Sequence, residues 1–369
     1  MADESDARSS ATTGIIVLAV LAVVYSLYFA RSLLVPIAFA ILLDFLLSPL
    51  VRLMQKIRIP AVVGAATIVL GLIAITVLGS YKLSKPAQKL LGEAPATIAR
   101  VQRTVGKLMS PVTRVTETAS EVAQSASVAS DSTSPAKVEV VGPSMASRLA
   151  DTAQLLLGGF IEVVLLLFFL LAGGDLFLEK TIRVIPLLQD KKKAVRIARE
   201  VESAVSVYLI ANLGINLMAG LMVGGAMWAL GMPNPVLWGV LTVAFEFIPF
   251  LGPLAMMAMI AVTAVGTYDS IGRILLAPGA YFLVNLIQGN IITTLILGRR
   301  LALNSVALFV GLAFWFWIWG IAGAFIGVPL MSILKICCDH IEALNPIGEF
   351  LGARNEPTRA AATPEIVAT

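Results

Sequence analysis

Apolar residues fall along this chain in long runs parted by short polar segments. A membrane-crossing helix needs about 20 apolar residues, each adding about 1.5 Å of rise. The first run covers residues 14–30. The second, 33–51, is interrupted only by Asp44 and has Pro36 near its start; the third, 59–81, is uncharged. Residues 152–173 form a fourth run with Glu162 inside it, 203–230 a fifth and 273–297 a sixth. Each predicts one full span.

Two further runs have the wrong length. Residues 236–267 as one helix would measure about 48 Å, against a hydrocarbon core of about 30 Å. The run is broken in its middle by Ile248-Pro249-Phe250-Leu251-Gly252-Pro253. Each half, at about 20 Å, is too short to cross. Residues 301–334 repeat the anomaly, with Trp319-Gly320-Ile321-Ala322-Gly323 at the centre and Pro329 beyond. Each predicts a re-entrant hairpin or a strongly kinked helix. Backbone that leaves the helix at membrane depth must be buried in protein or line a wet cavity.

Residues 82–151 are polar and rich in Ser, Thr and Ala. Ile98, Val101, Val105, Leu108 and Val112 recur at helical spacing, which predicts an amphipathic helix. Residues 125–143 read as a Ser/Pro-rich linker with a short strand-like stretch at 137–141. The expected organisation is a polar tail over 1–13, three spans over 14–81, an extramembrane insert over 82–151, a core over 152–335 with a basic loop at 175–202, and a polar tail over 336–369. The class is an all-α polytopic membrane protein, with about six full spans plus two re-entrant hairpins or kinked overlong helices.

Composition agrees. Of 369 residues, 58% are hydrophobic and 14% charged, whereas soluble domains carry about 25% charged residues. An ordinary soluble enzyme, a disordered chain and a nucleic-acid-binding domain are thereby excluded. The net charge of +4 matters less than where the basic residues sit. Placing Met1 inside puts Arg52, Lys56, Arg58 and the 175–202 loop inside, and the insert outside. If 236–267 re-enters, Arg299-Arg300 also falls inside, as the basic-loop rule prefers. The acidic, Ser/Thr-rich start over residues 1–13 predicts a retained first span rather than a secretory signal. Cys337 and Cys338 are adjacent and His340 is the only histidine, so neither a disulfide framework nor a zinc site is expected. No phosphate-binding loop and no H-E-x-x-H motif occurs. No cofactor, no metal and no enzymatic activity are expected.

Candidate chemistry concentrates at acids inside apolar runs. A carboxylate at membrane depth costs at least about 2.5–3.5 kcal/mol and usually faces a cavity or a partner. Glu246 stands three residues before the Ile-Pro break. It is a candidate proton or cation carrier or solute acceptor; the alternative is a protonated or hydrogen-bonded structural residue. Asp44 is a candidate for coupling or for an interhelix contact. Glu162 has no break beside it and reads as structural. No Lys or Arg lies within the same runs to pair these acids. Pro249, Gly252 and Pro253 form the expected first tip, and Gly320 and Gly323 the second. A solute site between the tips competes with simple close packing by small residues. Asn212, Asn216, Asn285, Gln288 and Asn290 add polar groups that serve as helix glue or line a pathway. Trp315, Trp317 and Trp319 read as an interfacial belt, or less simply as a stacking platform. Lys191, Lys192 and Lys193 form a solvated face near anionic lipid. Gly220/Gly224 and Gly323/Gly327 carry the GxxxG packing spacing.

Several segments together carry a family resemblance. They are Arg183-Val184-Ile185-Pro186, Arg199-Glu200-Val201-Glu202 leading to Tyr208-Leu209, Gly231-Met232-Pro233, Trp238-Gly239 and Phe247-Ile248-Pro249-Phe250-Leu251-Gly252-Pro253. Near the end come Gly298-Arg299-Arg300-Leu301, Phe314-Trp315, Trp319-Gly320-Ile321-Ala322-Gly323-Ala324 and Val328-Pro329-Leu330. In order and spacing these resemble the autoinducer-2 exporter (PerM-like permease) family, over residues 17–335. Two positions depart from the family pattern: Glu246, where Asn is common, and Leu303-Asn304-Ser305, where Leu-x-Pro is usual. The resemblance implies a multi-pass bacterial inner-membrane permease, a homo-oligomer with two re-entrant hairpins. It also implies export of the signalling molecule autoinducer-2, or in some members cation/proton antiport. The expectation is a secondary transporter or exporter of a small polar solute, with the proton or sodium gradient as the candidate drive. The alternatives are a cation/proton antiporter and a non-transporting membrane scaffold or regulator.

Overall fold

The computed structural model describes residues 2–124, 145–174, 176, 179–180, 183, 188–297 and 303–352. The linker and strand-like stretch expected within 125–143 lie outside these residues. So do Arg299 and Arg300.

The described chain is helical. Its elements are α1 (Ala2–Phe29), α2 (Arg31–Lys56), α3 (Ala61–Gln124), α4 (Met145–Gly173), α5 (Leu188–Ala229), α6 (Pro235–Phe245), α7 (Leu251–Thr267), α8 (Ile271–Ile287), a π-helical turn (Gln288–Ile292), α9 (Thr293–Leu297), α10 (Ser305–His340) and α11 (Asn345–Leu351). Among the described residues no strand forms; one isolated bridge pairs Leu303 with Gly352.

Among the described residues five helices are, by length and composition, long and apolar enough to cross a membrane: Arg31–Lys56, Ala61–Leu90, Lys191–Ala229, Ile271–Ile296 and Ser305–His340. The spans expected at 33–51, 59–81, 203–230 and 273–297 fall on the first four. Those expected at 14–30 and 152–173 fall on shorter apolar stretches, Gly14–Phe29 and Leu157–Gly173. Two polar boundaries in the sequence do not end their helices. α3 runs without interruption through Gln124, so the first part of the insert is a helical extension of the third span. α10 continues past Lys335 to His340. There the buried Lys335 ammonium pairs with Asp339 one turn on, at 2.8 Å, which lets the charge remain in the helix.

Among the described residues there are four apolar clusters: Ala307, Met331 and Leu351 join α10 and α11, and three others tie the longer helices together. Val51, Ala65, Val69, Leu167 and Leu171 join α2, α3 and α4. Leu42, Val201, Val205, Leu209 and Ile326 join α2, α5 and α10. Val223, Met227, Trp238, Met256, Ile260, Ala277 and Tyr281 join α5, α6, α7 and α8. The last cluster positions the site.

Within it, α5 and α6 run antiparallel. Gly224 faces Pro235 and Gly239, and Gly220 faces Gly239 and Val243, so the two backbones touch at small residues. The chain breaks after α6 and doubles back into α7. Phe250, the residue before α7, has φ 64°, a left-handed conformation that is strained for a side chain of this size. Gly252 then sits directly against the Phe245 carbonyl, where any Cβ would collide. At the far end of α7, the Tyr268 hydroxyl donates to the Leu230 carbonyl at 3.0 Å. The unit therefore ends beside the place where it began.

α10 makes the same reversal. Gly320, at φ 62° and ψ −142°, has a backbone conformation open only to glycine, and it divides the element into two arms. Across the fold Gly311 meets Met331, Gly327 meets Leu312, and Gly323 lies on the Trp315 carbonyl. The second arm, residues 321–340, is about 30 Å long and the first about 22 Å.

Candidate functional site

Glu246 is the first residue beyond α6, on the near side of the break, and its backbone N–H still closes the last helical bond to Thr242. α8 and the π-helical turn that continues it present Tyr281, Asn285 and Gln288 at spacings of four and three, one face of a helix. All three side chains converge on the carboxylate. Tyr281 Oη donates to Glu246 Oε1 at 2.9 Å and Asn285 Nδ2 donates to the same oxygen at 2.7 Å. Gln288 Nε2 donates to Oε2 at 3.4 Å. Asn285 Nδ2 also lies 3.3 Å from Tyr281 Oη, so the hydroxyl accepts from the amide and passes its own hydrogen to Glu246. Gln288 opens the π-helical turn, an irregularity that recurs at functional sites in helices.

The cluster contains more polar capacity than it uses. Gln288 is buried and its Oε1 has no hydrogen-bond partner. Asn216 is 1% exposed, and neither its Nδ2 nor its Oδ1 is bonded. The antiparallel register that sets Gly220 against Val243 places Asn216, one turn earlier on α5, at the level of the α6 C-terminus. An unpaired buried amide is costly, so these groups stand where a polar guest or water would satisfy them.

The remaining expected residues divide. Pro249, Gly252 and Pro253 belong to the break beside Glu246. Their neighbourhood offers fewer free carbonyls than a broken helix usually exposes. Phe245 O accepts from Ile248, Ile248 O from Gly252, Pro249 O from Leu251 and Phe250 O from Leu254. Gly320 and Gly323 form the second reversal. The two broken elements touch through aromatic pairs: Phe247 stacks on Phe325 at 4.9 Å, and Phe250 meets Phe309 edge-on at 6.0 Å. Asp44 lies on α2, which packs against α1, α3, α4, α5 and α10. Asn290 turns away and donates to the Leu286 carbonyl at 2.9 Å. Trp319 Nε1 donates to the Leu27 carbonyl at 3.0 Å, tying the second reversal to α1, while Trp317 points outward.

Tyr281 was not singled out by the sequence, because a tyrosine in an apolar run counts as hydrophobic. The readable signal is its helical register with Asn285 and Gln288. Arg100, in the α3 extension, was likewise unmarked. It donates to the Gly266 carbonyl at 3.1 Å and pairs with Asp269 at 2.5 Å, holding α3 against the base of α7.

A family model described as "AI-2E family transporter" matches residues 16–343. The chain belongs to this family. The resemblance seen in the motifs thus extends over nearly the whole apolar part, and the AI-2E family is one of transporters rather than enzymes. With its long apolar helices, this member is a multi-pass membrane protein. Among its relatives is the AI-2 transport protein TqsA of Escherichia coli (strain K12), 32% identical over 160 residues, covering 43% of this chain and 46% of TqsA. A putative transport protein of Borreliella burgdorferi is 27% identical over 196 residues, 52% of this chain and 53% of its own. The putative transport protein YrrI of Bacillus subtilis is 24% identical over 175 residues, 47% and 49% of the two chains. The chain spans about half the length of the curated relatives it matches.

Proposed function

We propose that this AI-2E family member is a secondary transporter or exporter that carries a small polar solute past Glu246, in the inner membrane of a bacterial cell. The observation that carries this reading is the carboxylate gripped by Tyr281, Asn285 and Gln288 beside a helix break. Such a group is expensive in an apolar protein, and Gln288 and Asn216 hold further buried polar atoms without partners. Broken helices that meet at mid-depth are how secondary transporters build solute sites. In this reading the α6–α7 unit and the two arms of α10 are re-entrant hairpins, and alternating access moves them against the remaining spans. The short α6 arm, about 16 Å, supports re-entry for the first unit.

AI-2, the solute in the name of TqsA, is the first candidate cargo, and other small hydroxylated metabolites follow. Purified protein in proteoliposomes should accumulate or release such a solute under an imposed proton or sodium gradient. Glu246→Gln should abolish the movement with the protein still folded. Flux of every solute unchanged by that substitution would overturn the assignment of the site. A protein that moves no solute but exchanges cations for protons would instead be an antiporter. One that moves nothing and captures a stable protein partner would be a scaffold. A homo-oligomer is part of the proposal, and cross-linking in native membranes tests it.

A further inference from the structure

The two oxygens of Glu246 are served unequally. Oε1 accepts two hydrogens, at 2.7 and 2.9 Å, which fills its in-plane lone pairs. Oε2 accepts one, from Gln288, at 3.4 Å, close to the outer limit for such a bond. The Tyr281 hydroxyl is fixed as a donor toward Oε1 because it already accepts from Asn285. The Gln288 amide is not fixed, since its other end has no partner at all. Rotating that amide by half a turn exchanges donor for acceptor, at the cost of one long hydrogen bond.

We propose that Glu246 is a reversible proton site, in which Oε2 takes the proton and the Gln288 amide turns to accept it, and that the site takes a proton in preference to sodium or another metal ion. The proposal rests on the transport reading above and narrows it to the coupling ion. In the ionised state the Gln288 N–H faces Oε2. One proton from the aqueous phase adds to Oε2 and cancels its charge. The turned amide carbonyl then accepts the new O–H, while Tyr281 and Asn285 keep their bonds to Oε1. Release to the other side reverses both movements, and no other bond is made or broken.

The charge environment requires some such neutralisation. Tyr281 is the one other titratable side chain bonded to Glu246. Residues 203–245 and 247–268 contain no Lys, Arg, His, Asp or Glu, and neither do 274–297 or 305–334. These stretches cover the facing parts of α5, α6, α7, α8 and α10. Of the helices packed on them, α3, against α6 and α7, carries Lys82, Lys85 and Lys89, and α2, against α5 and α10, carries Asp44. The side chains bonded to Glu246, however, are the neutral Tyr281, Asn285 and Gln288. Asp269, Arg273 and Arg100 stand at the opposite end of α8, two turns or more from Tyr281. A metal ion fits poorly here. A hard cation asks for about six oxygen ligands. The three side chains on the carboxylate turn hydrogens toward it, and the unbonded buried amide oxygens, Gln288 Oε1 and Asn216 Oδ1, would add only two. The carbonyls of Thr242, Phe245, Ile248, Pro249 and Phe250 are each engaged by a backbone N–H. Among the described residues no group of three His, Cys, Asp or Glu gathers to hold a metal.

Infrared difference spectroscopy of the full-length protein in nanodiscs tests this by reading proton binding directly. On acidification the wild type should gain a protonated-carboxyl C=O band that is absent from Glu246→Gln and displaced in Glu246→Asp. The aspartate variant preserves the assignment if the amide variant folds poorly. In Gln288→Leu the band should move to higher wavenumber, as a carboxyl that has lost its acceptor does. Replacing N-methylglucamine by sodium at constant pH should leave the band unchanged. A band lost on adding sodium would overturn the proposal, as would the lack of any pH-dependent band that responds to changes at residue 246. A band indifferent to Gln288→Leu would overturn the amide's part. Because the readout is protonation and not flux, a protein that moves no solute can still pass, and an active transporter can still fail.

Discussion

At residues 246–250 and again at Gly320 the chain doubles back, and the two reversals share their mechanics. Each places a glycine, Gly252 or Gly323, against a carbonyl of the preceding arm where a Cβ would not fit. Each contains one residue at positive φ, Phe250 or Gly320. They differ in what surrounds the turn. The first has a carboxylate with three side-chain donors on a neighbouring helix. The second has aromatic, aliphatic and small residues with no ionisable side chain in 305–334, and among the described residues its orphaned polar atom is the buried Trp315 Nε1. The comparison separates geometry from chemistry: both breaks reverse the chain, but of the two only the first has a carboxylate beside it among the described residues.

The largest effect should fall on what the reversals share. Gly252→Val and Gly323→Val should each destabilise the fold by about 3 kcal/mol through overpacking, read as a lowered unfolding temperature in detergent. If one site tolerates valine and the other does not, the two turns are not equivalent. The next effect should separate them. Glu246→Gln should reduce solute flux at least about tenfold, equivalent to about 1.4 kcal/mol, with little change in unfolding temperature. Tyr281→Phe removes one of the two donors to Oε1, a loss of about 1 kcal/mol that should reduce flux roughly fivefold. Arg100→Ala breaks an ion pair whose Asp269 side chain is fully in solvent, and should cost less than about 1 kcal/mol, vanishing at high salt. Trp315→Phe should be neutral or slightly stabilising, because it deletes an unpaired buried donor. A large flux defect in that variant would show that the second reversal binds as well, and would erase the contrast.

Much of this was legible in the sequence, and the reasons are specific. A run of apolar residues longer than a membrane is thick, with Pro and Gly in its middle, has few ways to fold. An acid within such a run is costly enough to mark itself. The family motifs, read in order, identified the same chain that the family model matches over residues 16–343. Other features were hidden. Lys82 reads as the end of a span, yet α3 continues to Gln124, because a change from apolar to polar side chains does not interrupt backbone hydrogen bonding. Lys335 reads as the end of the last run, yet its partner Asp339 keeps it inside α10. Asn285, Gln288 and Asn290 look like one polar patch, but helical rotation gives only the first two to Glu246.

The sequence by itself determined the class of protein, the positions of its apolar runs, the places where two of them must break and the acid that needs a partner. These follow from local properties: hydrophobic run length, the conformational range of glycine and proline, and the cost of a charge in an apolar run. The tertiary structure alone decided that the partner face is on α8 and the turn after it, and that the carbonyls freed at the break are largely reclaimed by the turn. Those outcomes depend on which helix faces bury against each other. That is a long-range choice made by small-residue contacts such as Gly220 with Gly239, and no local pattern encodes it.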